Sequence, residues 1–314
     1  MGKFIKIVLI IILIALICLL GRALFINKDA VEPIVDKDST ISGDILFTIE
    51  NYPKVDASLA TQPLTTAIRE NFTQKFNYTD EELGYTNTHP GYLRLVDGEV
   101  DLICVTEPSE DELEYAKEHN VELEVIPVVK EGFVFYVNDE NPIDGLTLEQ
   151  IKDIYAGKIT NWKEVGGKDA KIKAFQRPEN SGSQTGMLSL VMKDRVLMTP
   201  PKEDIVESMF EIVNLVSSYD NGLDSIGYSY YYYAKTMFQT IDKEIADGIK
   251  LLKVDGVEPS NDTIKDGSYP LQTAYYIVMR KDEPAGSPAR KLAEAMLSER
   301  GQKIAEEVGY VGVK

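Results

Sequence analysis

The sequence predicts an α/β protein with mixed or parallel sheets, on three observations. Short apolar runs such as DLICV, LEVIPVV, GFVFYV and YYIVMR alternate with amphipathic stretches such as LTTAIRENFTQKF, DELEYAKEH, TLEQIKDIYAG and ARKLAEAMLSERGQKIAEEV. Capping signals announce several of the helices: Ser109 with Glu112 and Thr147 with Gln150 fit the capping-box pattern, and Gly157 closes the second of these helices. A chain of 314 residues with 44% hydrophobic side chains is also long enough to bury a real core, in two domains or one large one.

The chain opens with MGKFIKIVLIIILIALICLLGRALFI, in which Lys3 and Lys6 precede an apolar run from Ile7 to Leu20. Residues 1–27 therefore read as a membrane-targeting element. Phe4, Ile5 and the Ala23 to Ile26 tail extend the run and Arg22 can snorkel, which favours an uncleaved anchor. A cleaved signal peptide is the rival, although no A-x-A site is visible and Ile17 is a poor match to the small residue that lipoprotein processing needs before Cys18. Either reading places the body outside the cytoplasm, at the cell membrane or exported. Residues 28–44 are polar and acidic, contain Pro33, and read as a tether, so the fold is expected to begin near Ile45.

The formal charge of −18 argues against nucleic acid and anionic membrane surfaces as partners, since both call for a positive footprint. Two histidines, His89 and His119, and two cysteines, Cys18 and Cys104, are too few for a usual zinc site, and neither a metal nor a cofactor is expected. Cys104, inside LICV, reads as a small buried hydrophobe. The tyrosine run from Tyr228 to Tyr233 suits a strand and a domain surface better than a cofactor box.

One stretch carries chemistry. In RPENSGSQTGM an arginine is followed four residues later by Ser-Gly-Ser, and MLSLVMKDRVL then continues at helical spacing. Ser181, Gly182 and Ser183 would thus sit at a helix start, whose free N–H groups and positive dipole end seat an anion. Three further helix starts are rich in small donors. Ser58, Ala60, Thr61 and Gln62 precede or flank Pro63, Thr86 and Thr88 precede Pro90, and Glu107 hangs off the strand end in TEPSEDELE. Neither histidine stands in a motif that would place a base beside Ser181 or Ser183, so no catalytic residue is expected.

The succession VDASLATQPL, GEVDLICVTEP, NPIDGLTLEQIKDIYAGKITNWKEVGG, RPENSGSQT, SIGYSYYYY and YPLQTAYYIVMRKDE resembles the phosphate-binding proteins of bacterial phosphate ABC transporters, the PstS-like family. The resemblance runs from about Ile45 to Lys314. It implies the two-lobed clamshell of type II periplasmic binding proteins, each lobe a mixed sheet flanked by helices, with two hinge crossings. Lobe I would comprise 45–130 and 272–314, and lobe II 131–271. The function implied is extracytoplasmic binding of inorganic phosphate between the lobes and delivery to the permease subunits of an ABC transporter, by a monomer without enzymatic activity. A receptor for another oxyanion or small solute, or a membrane-tethered phosphate sensor without transport, is the alternative.

Carried over by position, the resemblance makes Thr61 and Gln62 ligand donors through hydroxyl and amides, with Ser58 beside them. Arg177 becomes the phosphate-facing guanidinium, Glu179 the acid that orients it, and Ser181, Gly182 and Ser183 the helix-start donors. Thr88, or else Thr86, stands for a family serine. Glu107 stands for the carboxylate, usually an aspartate, that accepts a hydrogen bond from protonated phosphate and so disfavours sulfate.

Overall fold

The computed structural model describes residues 44–74, 85–218 and 222–314. The expected anchor, and all of the expected tether before residue 44, lie outside these residues. Among the described residues no helix is long and apolar enough to cross a membrane.

The chain lays down strand β1 (Val55–Ala57), helix α1 (Gln62–Phe72), helix α2 (Thr88–Val96), strand β2 (Leu102–Val105) and helix α3 (Glu110–Glu118). Pro63 occupies the first turn of α1, where a missing N–H costs nothing. Helix α3 starts at the Ser109–Glu112 capping box the sequence announces. Strand β3 then runs unbroken from Leu123 to Asn138, joining LEVIPVV and GFVFYV into one element. It is followed by β4 (Gly145–Leu146), helix α4 (Leu148–Tyr155), capped by Thr147 and Gln150, and β5 (Lys173–Ala174).

Helix α5 (Gly182–Gly186) is continued by a π-helical segment, Met187–Met192, where the sequence suggests one regular helix. That segment ends at Lys193, which adopts a left-handed φ of 39°. Helix α6 (Met209–Ser217), β6 (Ser225–Tyr230), β7 (Ile249–Leu251), β8 (Lys253–Val254) and β9 (Gln272–Arg280) follow. The long C-terminal amphipathic stretch is two helices, α7 (Pro288–Leu297) and α8 (Glu299–Glu307), broken at Ser298, whose hydroxyl caps α8 by accepting from the Gly301 amide at 3.0 Å. Strand β10 (Val311–Gly312) ends the chain against β3.

Strand β3 organises the sheets. Its first part, Leu123 to Gly132, pairs antiparallel with β9, which pairs in turn with β2, and β2 carries β1 in parallel. Its second part, Phe133 to Val137, pairs antiparallel with β6, which carries β5 in parallel. The β3–β9 register slips between Pro127 and Val129, a place suited to a residue without an N–H. The strands β4 and β8 form a separate two-stranded sheet.

Apolar side chains from both parts of β3, Val129, Phe133 and Phe135 among them, join one large core, while Tyr92, Leu95, Ile103 and Val278 form a smaller one. Cys104 is a fully buried free thiol whose pKa burial pushes up to about 12, so it behaves as a small apolar residue. One core position is unusual. Glu131, 2% exposed, lies where β3 changes partners and accepts backbone N–H donors from Gly132 at 2.8 Å and Tyr232 at 3.2 Å. Burial without a cationic partner raises its pKa to about 8.

Candidate functional site

A cleft of about 440 Å³ is lined by Ser58, Thr88, Thr106, Arg177, Gly182 and Ser183, with Tyr230 and Tyr275 among its other walls. Each group reaches it for a local reason. Asp56, fully buried on β1, accepts from the Thr86 amide at 2.7 Å, from the Thr86 hydroxyl at 2.6 Å and from Arg94. This fixes the turn through Asn87, whose left-handed φ of 79° directs the start of α2 and its Thr88 to the cleft. Asn87 Oδ1 in turn accepts from the Leu59 amide at 3.0 Å, which ties that helix start to the Ser58 loop. Thr106 follows directly on the buried strand β2.

The other wall is built on β6. The Arg177 amide donates to Gln184 Oε1 at 3.1 Å and to the Tyr228 hydroxyl at 3.0 Å, and Tyr228 itself donates to Gln184. Tyr230 donates to the Gly182 carbonyl at 2.8 Å. Burial raises the pKa of both tyrosines, so they stay neutral donors. Ser181 caps α5, accepting from the Gln184 amide.

Arg177 is the only lysine or arginine among the lining residues. Its Nη1 donates to the Val206 carbonyl at 3.3 Å, and its Nε is buried with no hydrogen-bond partner. Burial lowers its pKa from the ordinary value, against the opposing pull of Tyr228, Tyr136, Tyr233 and Glu207. Ser183 Oγ is likewise buried without a partner, in a residue only 3% exposed. A desolvated guanidinium and an unpaired hydroxyl facing one cleft are costly unless a ligand meets them. The fit is close. A β-carbon built on Gly182 would lie 2.5 Å from Thr106 Oγ1 and 2.9 Å from Thr88 Oγ1, so only glycine lets the two walls approach. Donors of this kind, with one positive charge and several hydroxyls at helix starts, suit a tetrahedral oxyanion.

The structure thus brings together Ser58, Thr88, Arg177, Ser181, Gly182 and Ser183, with Glu179 also in the lining, and leaves Thr61, Gln62 and Glu107 out of it. Thr61 is fully buried, its hydroxyl donating to the Cys104 carbonyl at 2.5 Å and its amide to the Ser58 carbonyl at 2.9 Å. The Gln62 amide also closes on the Ser58 carbonyl, at 3.1 Å, and Gln62 does not line the cleft. Both amides are consumed by the tight turn that precedes α1. Glu179 lines the cleft but is exposed and makes no ion pair with Arg177, which is held by the Val206 carbonyl instead. Glu107 is outside the lining, its carboxylate accepting from the Ser189 hydroxyl. His89, beside Thr88, is engaged with the buried Glu112 at 3.0 Å.

Sequence reasoning missed Thr106, Gln184, Tyr228 and Tyr230 as parts of the site. Thr106 had a signal, since it stands at the C-terminal end of β2 where strands of α/β sheets present ligand groups. Gln184 and Tyr228 had none, because they act through the Arg177 backbone.

A profile described as a PBP superfamily domain matches residues 51–300. The chain belongs to the PBP superfamily. As a member of it, the chain is 29% identical over 265 residues to the phosphate-binding protein PstS of Staphylococcus aureus (strain bovine RF122 / ET3-1), covering 82% of this chain and 77% of that protein. Among solved structures, an ABC-type phosphate transport receptor from Vibrio cholerae superposes with a TM-score of 0.59 at 24% identity, covering 82% of this chain and 98% of that one. PstS from Borrelia burgdorferi gives 0.51 at 22%, covering 87% and 100%. These two structures establish that the PBP superfamily chain shares their fold.

Proposed function

We propose that this chain binds inorganic phosphate in the cleft, outside the cytoplasm, and delivers it to the permease subunits of an ABC transporter. The observation that carries the reading is the convergence of Arg177, with its unpartnered Nε, and the unpartnered Ser183 hydroxyl on one cleft of about 440 Å³. The Staphylococcus relative, itself named a phosphate-binding protein, supports it. In this reading residues 45–130 with 272–314 form one lobe and 131–271 the other, with β3 and β9 as the crossings, and rotation about them opens and closes the cleft. The phosphate contacts are Arg177, Ser181, Gly182, Ser183 and Thr88, with Ser58 and Thr106 completing the walls. The acidic net charge slows capture at low salt without opposing the bound state, because a preorganised, water-poor site acts locally.

Thermal unfolding with added anions tests the reading. Millimolar phosphate is expected to raise the melting temperature, since a ligand of the folded state alone stabilises it by mass action. No shift with phosphate, sulfate, arsenate or molybdate would remove oxyanion binding altogether. The displacement of Glu107 from the lining favours one second reading, a receptor tolerant of unprotonated oxyanions, and a sulfate shift equal to that of phosphate would establish it.

Gly182→Ala supplies a sharper check. Its methyl group would press on the Thr106 and Thr88 hydroxyls, so the walls must separate and affinity for phosphate is expected to fall at least about tenfold. Calorimetric titration of a variant that binds like the parent would remove this approach from the bound state.

A further inference from the structure

Besides the cleft contacts, two side-chain hydrogen bonds join the same walls. The Ser189 hydroxyl, on the π-helical segment after α5, donates to Glu107, which follows β2. Asn180 Nδ2, just before α5, donates to Asp111 Oδ2 in the first turn of α3 at 2.8 Å. In sequence the two ties bracket Gly182, where a β-carbon would press on the Thr106 and Thr88 hydroxyls of the opposite wall. Asn180 holds its place with a left-handed φ of 61°, a conformation that asparagine tolerates better than most residues. Neither Glu107 nor Ser189 lines the cleft, whereas the hydroxyls of Thr88, Thr106 and Ser183, each able to donate or accept, are available inside it. Tyr92, Tyr230 and Tyr276 lie within the field of Glu107, and burial keeps all three protonated.

We propose that Glu107 and Ser189 form one half of a clasp that holds the walls of the cleft together, that Asp111 and Asn180 form the other half, and that Glu107 does not read the ligand's proton. The proposal rests on the phosphate reading for its ligand, but not for the clasp itself. Glu107 is then a positioning residue: it sets how long the cleft stays shut, not which anion enters. A glutamate, one methylene longer than aspartate, reaches past the cleft to the opposite wall.

The test uses the whole chain as Glu107→Gln, Glu107→Ala, Ser189→Ala and the double alanine variant. Glu107→Ala and Ser189→Ala are each expected to speed phosphate release and weaken its binding about fivefold. The double variant should be no weaker than either single one, and every variant should keep the parent's ratio of phosphate to sulfate affinity. Without ligand, amide hydrogen exchange at Gly182–Gly186 and around Thr106–Ser109 should accelerate in both single variants. A fall in that ratio for Glu107→Gln, with Ser189→Ala unchanged, would overturn the proposal and return Glu107 to the ligand. Additive losses in the double variant, or unchanged exchange, would overturn it too. If the parent binds neither anion the phosphate reading fails, and the exchange measurements still decide the clasp.

Discussion

Arg177→Ala is expected to lower phosphate affinity by a factor on the order of 10² to 10³ while leaving the ligand-free protein folded and no less stable. The first part follows from the chemistry of the cleft, where Arg177 is the single cationic side chain and its Nε awaits a partner. A guanidinium gives a dianion two parallel charge-assisted bonds, and deleting it leaves the ligand's charge in a dry site uncompensated. The second part follows from the cost the residue bears when nothing is bound. Burial lowers its pKa, so the charge is disfavoured there, and only the Val206 carbonyl accepts from its terminal nitrogens. Arg177→Lys keeps the charge and loses the fork, and should fall between the two, about tenfold weaker than the parent. Calorimetric titration measures the affinities and ligand-free melting the stability. Near-parental binding in Arg177→Ala would take the residue out of the site and with it the proposed function.

The second large effect concerns stability and pH. Glu131, with its carboxyl raised to about 8 by burial, holds its proton in the folded protein through neutral pH, whereas the unfolded chain loses it near the ordinary value of 4.5. The folded form is therefore favoured most below about 4.5, and this contribution is lost as pH climbs towards 8. The loss across that window is on the order of 5 kcal/mol. Glu131→Gln keeps an acceptor for the Gly132 and Tyr232 amides and has no proton to lose. Its stability relative to the parent should rise steadily between pH 5 and 8 and flatten above. Denaturant unfolding at several pH values reads the difference, and two parallel curves would show that Glu131 is charged in the native state.

What the sequence conveyed about the site divides along physical lines. Helix starts are local events, written in a cap, a proline or a glycine within a few residues, so Ser109 with Glu112, Pro63, Ser181 and Gly182 were legible in advance. The α/β alternation was legible for the same reason. The direction in which a donor points is not local. Thr61 was expected to face a ligand, yet the Cys104 carbonyl, brought alongside by the pairing of β1 with β2, takes its hydroxyl. Glu107 was drawn off by Ser189, a residue far along the chain whose position depends on the π-helical segment. That segment itself carries no sequence mark, since MLSLVM would serve an α-helix equally well. The support of Arg177 by Gln184 and Tyr228 likewise appears only once α5 is laid on β6.

The pairing of β2 with β9 has a consequence for how the molecule is made. Ile103 finds its neighbour at Val278, about 175 residues later, so during synthesis the early strands wait with an open edge until the chain has emerged past that strand. A nascent chain of this design reaches its native state late, and the exposed strand edge leaves it vulnerable to aggregation until then.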